Sequence, residues 1–252
     1  MVKKEILYNT DINIIGSIPD YSLILKTLKL HSKNSDKIEE MIIKNNEFDF
    51  RTEKSRKRFL SGVESAFLNF KNKEHKKLIK ALFNTELTRE NENMILFWQF
   101  SINNKLFFEI TKEVFFKEYY SGKVSFSKEY IIAFIKDLIS KNENLKGKWS
   151  ETTINTIASK YLTILKKLGL VEGSKVKKFK NIYLSDESLL IFLQIIKIIE
   201  PLSVNILKSM YLEFSFVSKE NLFFRIKTFA KKGLVNMNFD GKILKIEFLG
   251  GF

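Results

Sequence analysis

The stretch SETTINTIASKYLT, residues 150–163, combines residue types and spacing that suit a definite chemical task. An apolar stripe at helical spacing takes Ile154, Ile157, Ala158, Tyr161, Leu162, Leu165 and Leu168. Left outside it are Thr152, Thr153, Asn155, Thr156, Ser159, Lys160 and Thr163, which form hydrogen bonds and carry no negative charge. Asparagine can meet adenine with two hydrogen bonds, threonine methyls can touch thymine, and a face with little acid does not repel phosphate. A helix of this kind can enter a DNA major groove. Immediately downstream, LVEGSKVKKFKNIYLS reads as strand, basic turn and strand, a wing whose Lys175, Lys177, Lys178 and Lys180 would meet the phosphate backbone beside that helix. A smaller cationic group, Lys54, Lys57 and Arg58, falls in the exposed first turns of a helix expected to start near Thr52, with Arg56 leaning towards the core.

Bond-making and bond-breaking chemistry has few candidates. His31 and His75 lie far apart among lysines, with no second ligand at metal spacing, and are expected on the surface. The chain has no cysteine, so neither a disulfide nor a thiolate zinc site can form, and a reducing, cytoplasmic setting is expected. No glycine-rich phosphate loop occurs. Asp20, followed by Glu74 and Lys76, loosely imitates a nuclease acid–acid–lysine pattern, but Glu74 sits in a helical run rather than on a strand. The expectation is a non-enzyme with no cofactor, no metal and no small-molecule substrate, whose partner is double-stranded DNA.

Charge supports a polyanionic partner. The net charge is +14, and residues 141–180 hold ten lysines against Glu143, Glu151 and Glu172. Lysine-rich codon usage alone would not cluster the excess in this way. The start, MVKKEILYNTDINIIG, lacks the apolar core of a secretory signal, and LLIFLQIIKIIEPL from Leu189 is broken by Gln194, Lys197, Glu200 and Pro201, so it reads as a buried helix and not a membrane span.

The elements that must position these residues are mainly helical, since only two prolines and ten glycines interrupt apolar residues at three- and four-residue spacing. A helix from about Asp36 to Lys44, a stop at Asn45-Asn46 and a second helix burying Phe59, Leu60, Val63 and Phe67 make a helix-turn-helix-like pair. The aromatic runs MILFWQF and KLFFEITKEVFFKEYY read as core. Two stretches, LKKLGLVEG and AKKGLVNMN, each run from a helix through Gly-Leu-Val into a strand. The second follows VNILKSMYLEF, expected as a helix, and a helix capped by Ser218 that buries Leu222, Phe223, Ile226, Phe229 and Ala230. It precedes a hairpin turning at Asp240-Gly241. The predicted fold is therefore mainly α, with helix-turn-helix and winged-helix units whose wings are short β-hairpins. The expected segments are 1–75, 76–184 and 185–252. The last exposes Phe224 and is weakly basic through Lys219, Arg225, Lys227, Lys231 and Lys232, which suits protein contact slightly better than DNA contact.

Taken together, NNEFDFRTEKSRKRFLSGVESAF, NNKLFFEITKEVFFKEYYSG and KWSETTINTIASKYLTILKKLGLVEG resemble the BrxA family, the small protein of BREX phage-defence systems. The resemblance covers about residues 36–184, is strongest over Lys148–Gly173 and is loose beyond Ser185. It implies a helical, winged-helix DNA-binding protein working beside a methyltransferase, an ATPase and other BREX components; the scarcity of arginine, the residue of the strongest guanine contact, predicts low sequence specificity. Two other functions fit the same residues: a winged-helix transcriptional regulator acting on its own operon, and an RNA-binding or scaffold protein of the defence complex.

Overall fold

A computed structural model of the chain describes residues 7–250. It separates into two compact units that are discontinuous in sequence: one comprises residues up to Asn69 together with Glu92–Asn181, and the other Phe70–Asn91 together with the chain from Ile182 onward.

The first unit begins with α1 (Asp11–Ile15), α2 (Ser22–Asn34) and α3 (Glu53–Phe67). Thr52 caps α3 by accepting a hydrogen bond from the Ser55 amide at 3.1 Å, and Phe59, Leu60, Val63 and Phe67 are all buried. The preceding segment departs from a regular α-helix. Ser35–Lys37 is a 3₁₀ turn, and Glu40–Lys44 is a π-helical turn that ends where Asn46 takes a positive φ of 51°. Asn46 bonds Phe50 through both its amide oxygen and its amide nitrogen, and that local ring ends the helix.

Next along the chain come α4 (Lys73–Phe83), part of the second unit, and α5 (Arg89–Asn103), and then α6 (Lys105–Ile110), a π-helical turn at Thr111–Phe115 and α7 (Phe116–Tyr120) of the first unit. The run Met94–Phe100 is buried throughout, as expected of core and not of a base-stacking platform. Next come β1 (Ser125–Phe126), α8 (Lys128–Lys141), α9 (Glu151–Lys167), β2 (Val171–Glu172) and β3 (Lys177–Phe179). The three strands form one antiparallel sheet in the order β1-β3-β2. The sheet is held from below by aromatic rings: Phe179 lies 5.4 Å from Phe115, 5.3 Å from Phe126 and 5.6 Å from Tyr119. Because side chains alternate along a strand, seating Phe179 inward turns Lys178 and Lys180 outward.

The second unit contains α4, α10 (Asp186–Ile199), α11 (Lys219–Lys231) and the antiparallel hairpin β4 (Val235–Phe239) and β5 (Leu244–Phe248). The stretch expected as a helix, VNILKSMYLEF, is instead two 3₁₀ turns, Ile206–Lys208 and Leu212–Ser215. Polar side chains there take the amides an α-helix would use: the Asn205 side-chain oxygen accepts from both Leu207 N and Leu244 N at 3.1 Å, and Ser209 Oγ accepts from Tyr211 N at 3.2 Å. Leu222, Ile226 and Phe229 are buried as expected, whereas Phe223 and Ala230 are half-buried.

The two Gly-Leu-Val exits share one local structure. Gly169 and Gly233 adopt φ of +79° and +71°. Leu170 N donates to Leu165 O at 2.9 Å and Leu234 N to Phe229 O at 3.0 Å, while the glycine amides donate to Lys166 O and Ala230 O. Both helices thus end in a left-handed glycine closed by six-to-one and five-to-two hydrogen bonds. The returning strands repeat the likeness, with Lys180 N bonding Leu170 O and Leu249 N bonding Leu234 O.

Candidate nucleic-acid interface

Helix α9 is fixed at its start by Ser150, whose hydroxyl accepts from Thr153 N at 3.2 Å. Ile154, Ile157, Ala158, Tyr161, Leu162, Leu165 and Leu168 are buried as the stripe requires, and Ile164 joins them. Tyr161 is anchored at its tip by a 2.9 Å hydrogen bond with the Thr111 hydroxyl. Truncating one of the fully buried isoleucines would cost about 2–5 kcal/mol, so the rotation of α9 about its axis is strongly specified.

That rotation divides the seven polar positions. Thr152, Asn155 and Ser159 are exposed, while Thr153, Thr156, Lys160 and Thr163 are half-buried. The cause is α1, which packs against both α3 and α9. Gly16 sits so close to α9 that a Cβ there would stand 2.7 Å from Lys160 Cβ and 2.8 Å from its carbonyl oxygen. On the other side of α1, a Cβ on Gly62 of α3 would meet Ile14 at 2.6 Å. Lys160 therefore lies along a covered flank and not at the centre of the open face. Lys167, on the same flank, donates to the Ile18 carbonyl and holds its ammonium 5.0 Å from the Tyr21 ring centre. Burial, the nearby charge of Lys160 and the opposing effect of Asp20 leave its pKa below the usual lysine range.

The open face carries a cation that the apolar stripe did not bring to notice. Lys166 is exposed, seven residues beyond Ser159 and eleven beyond Asn155, so it shares their side of the helix. Counting helical positions from Asn155, rather than only listing residues outside the stripe, would have found it. The one carboxylate in the first turn, Glu151, forms a 2.9 Å ion pair with Lys136 of α8. The small polar groups bond back to their own helix: Asn155 Nδ2 donates to Glu151 O at 3.0 Å, Thr156 Oγ1 to Thr152 O at 2.8 Å and Ser159 Oγ to Asn155 O at 2.9 Å. Their oxygen lone pairs stay open to an outside donor.

The β2–β3 hairpin turns through Gly173, whose φ is +92° and whose absent Cβ would lie 2.1 Å from Val176 O. Lys175, Lys178 and Lys180 are exposed and form no ion pair among the described residues. Lys177 differs, since its ammonium donates to Gly173 O at 3.1 Å and to the Ser174 carbonyl. On α3, Lys54 and Arg58 are exposed, but Lys57 is paired with Glu53 at 2.6 Å, which holds the Glu53 carboxyl below its usual range. Arg56 is half-buried, as expected of a side chain leaning towards the core.

Both histidines are buried, contrary to the surface placement expected of them. His75 shares the inner face of α4 with Leu78, Ile79 and Leu82, and its ring lies 5.7 Å from Phe70. Its Nδ1 accepts from Lys71 N at 3.3 Å, and burial, reinforced by the Lys71 charge, lowers its pKa to about 4. Asp20 accepts from Ser22 N at 2.8 Å at the start of α2, whereas Glu74 is an exposed residue in the first turn of α4. Among the described residues no group of three or more His, Asp and Glu side chains could hold a metal ion, and no helix is long and apolar enough to cross a membrane.

The sequence model of the family described as BrxA matches residues 8–194, well over half of the chain. The chain belongs to the BrxA family. Membership associates the protein with BREX defence, and the match takes in α1, α3, α9 and the β2–β3 hairpin as well as most of α10. It begins about 28 residues before the span of the resemblance, residues 36–184, and so includes α1, the element that divides the polar face of α9. No curated protein matches this BrxA-family chain.

Proposed function

We propose that the protein is a non-catalytic, cytoplasmic, double-stranded DNA-binding component of a BREX system. In this reading α8 and α9 are the helix-turn-helix and β2–β3 the wing of a winged-helix unit. The observation that carries it is the arrangement of helix, β1, α8, α9, β2 and β3 around a sheet of order β1-β3-β2. That order lays an exposed edge of α9, whose one carboxylate, Glu151, is paired with Lys136, and the unpaired lysines of the hairpin on one continuous stretch of chain. A helix of small polar residues flanked by a cationic ribbon is suited to groove entry and backbone contact together.

Binding is dominated by phosphate in this account. The chain has five arginines, and the exposed edge of α9 holds none, so the strong bidentate guanine contact is missing and selectivity is low. The BREX methyltransferase and ATPase are the proposed protein partners. Titrating the purified protein against duplex DNA, duplex RNA and single strands of the same sequence tests the reading. Tightest binding to duplex DNA is the expected result; a preference for duplex RNA or single strands would overturn it. Incubation of DNA with magnesium or manganese should leave it uncut and unmodified.

A further inference from the structure

The last unit presents an aromatic face that the DNA reading does not use. On α11, Glu220, Phe224, Lys227 and Lys231 recur at spacings of four, three and four, and all are exposed. Phe224 is 64% exposed; its ring lies 6.1 Å from Phe223, which in turn lies 4.9 Å from the 42%-exposed Phe239 of the hairpin. An isolated exposed apolar residue needs no explanation, but three adjoining phenylalanines form a patch.

The shared helix exit allows a comparison with α9. Aligning Gly233 with Gly169 sets Phe224 against Lys160 and Thr228 against Ile164. On α9 those positions lie beneath α1, with Ile164 fully buried; on α11 Phe224 and Thr228 are exposed. The same supersecondary unit thus occurs once with a helix seated on this flank and once with the flank open.

We propose that this flank is a self-association surface, on which the α11 helices of two copies of the chain pack antiparallel about a two-fold axis near Phe224. The charges choose the occupant. In a two-fold pair each residue contact occurs twice, so a face binds its own copy when it carries both members of each pair. With the axis near Phe224, Glu220 of each copy faces Lys227 of the other, and the two Phe224 rings meet between these ion pairs. Neither Glu220 nor Lys227 has an ion-pair partner among the described residues. Repulsion is smallest here too: residues 185–252 carry nine basic and seven acidic side chains, against sixteen and eight over residues 105–184. A patch of three rings is small beside the roughly 800 Å² per partner of a standard interface, so the dimer is weak in isolation and strengthens when one duplex holds two copies.

Sedimentation velocity on the full chain, over about 1–200 µM and without DNA, tests the proposal, the range being set by the weak affinity of so small an interface. The expected result is a concentration-dependent monomer–dimer equilibrium. Phe224→Glu should raise the dissociation constant at least about tenfold, by burying an unpaired charge between the rings. Glu220→Lys and Lys227→Glu should each weaken the dimer about fivefold, and the two together should restore it, because reversing both members re-forms the pair. All three positions are exposed, so folding, followed by circular dichroism, should be unchanged. A monomer throughout the range overturns the proposal, as does a double reversal no better than the singles. If the protein stays monomeric but binds a single-stranded oligonucleotide through Phe224, the face belongs to nucleic acid instead. Alanine at Lys175, Lys178 and Lys180 should leave dimerisation intact, so this idea and the DNA reading can fail separately.

Discussion

Replacing Lys175, Lys177, Lys178 and Lys180 together by alanine is the sharpest perturbation of the proposed interface. If all four ammonium groups met phosphates, the slope of log affinity against log salt would flatten by about 3.6, at roughly 0.9 per contact. The structure lowers that figure, because Lys177 already spends its ammonium on the carbonyls of Gly173 and Ser174. Three free cations give a change of about 2.7. Between 50 and 200 mM salt each contact is worth about 3.5-fold in affinity, so the gap between wild type and variant should narrow roughly 40-fold across that range. Fluorescence anisotropy with one labelled duplex at five salt concentrations measures both slopes directly. The hairpin keeps its Phe179 anchor and its Gly173 turn, so the variant should fold. An unchanged slope in a folded variant would remove the hairpin from the DNA interface and sink the reasoning; a change of 3.6 would show that Lys177 leaves its turn carbonyls on binding.

Three further outcomes are expected. Asn155→Ala with Ser159→Ala should cost about 1–3 kcal/mol on a preferred A/T-containing site and almost nothing on random DNA, with Lys166→Ala weakening both DNAs more than Lys160→Ala; equal loss on both from the Asn155 and Ser159 pair would show that α9 is not a reader. His75 is held neutral when folded, with a pKa of about 4 against about 6.5 when unfolded. The unfolded chain therefore binds the extra proton first, and stability should fall by up to about 3 kcal/mol as pH drops from 6.5 to 4; denaturant titrations at several pH values in which His75→Leu shows the same decline would refute that origin. Gly169→Ala and Gly233→Ala, each at positive φ with open space around the position, should each cost about 1–2 kcal/mol and lower the melting temperature by a few degrees; a calorimetric scan with no shift for either would deny the shared helix-exit geometry.

Local chemistry made much of this molecule legible before any fold was known. Ser150, Thr52 and Ser218 were identifiable as caps because a short hydroxyl side chain before an apolar-periodic run satisfies amides that no other group reaches. The buried stripes of α3 and α9 followed from helical periodicity, and the repeated Gly-Leu-Val followed from the need for a left-handed residue where a helix gives way to a strand. These are interactions among residues a few positions apart, and their energies do not depend on what lies across the core.

Tertiary packing decided the rest. His75 looked like a surface residue among lysines, yet its place beside Leu78, Ile79 and Leu82 turns it inward, while Lys73, Lys76 and Lys77 on the same helix stay exposed. VNILKSMYLEF had apolar residues enough for a helix, but Asn205 gains more by bridging to Leu244 N and Lys242 O, groups some forty positions away, than by leaving its neighbours' amides to a helix. The polar face of α9 was visible as a set, but not the line that divides it. That line is drawn by α1, whose five residues are too few to show a helical period. Only the fold could bring Gly16 against Lys160, and so leave Asn155 and Ser159 open while Lys160 is covered.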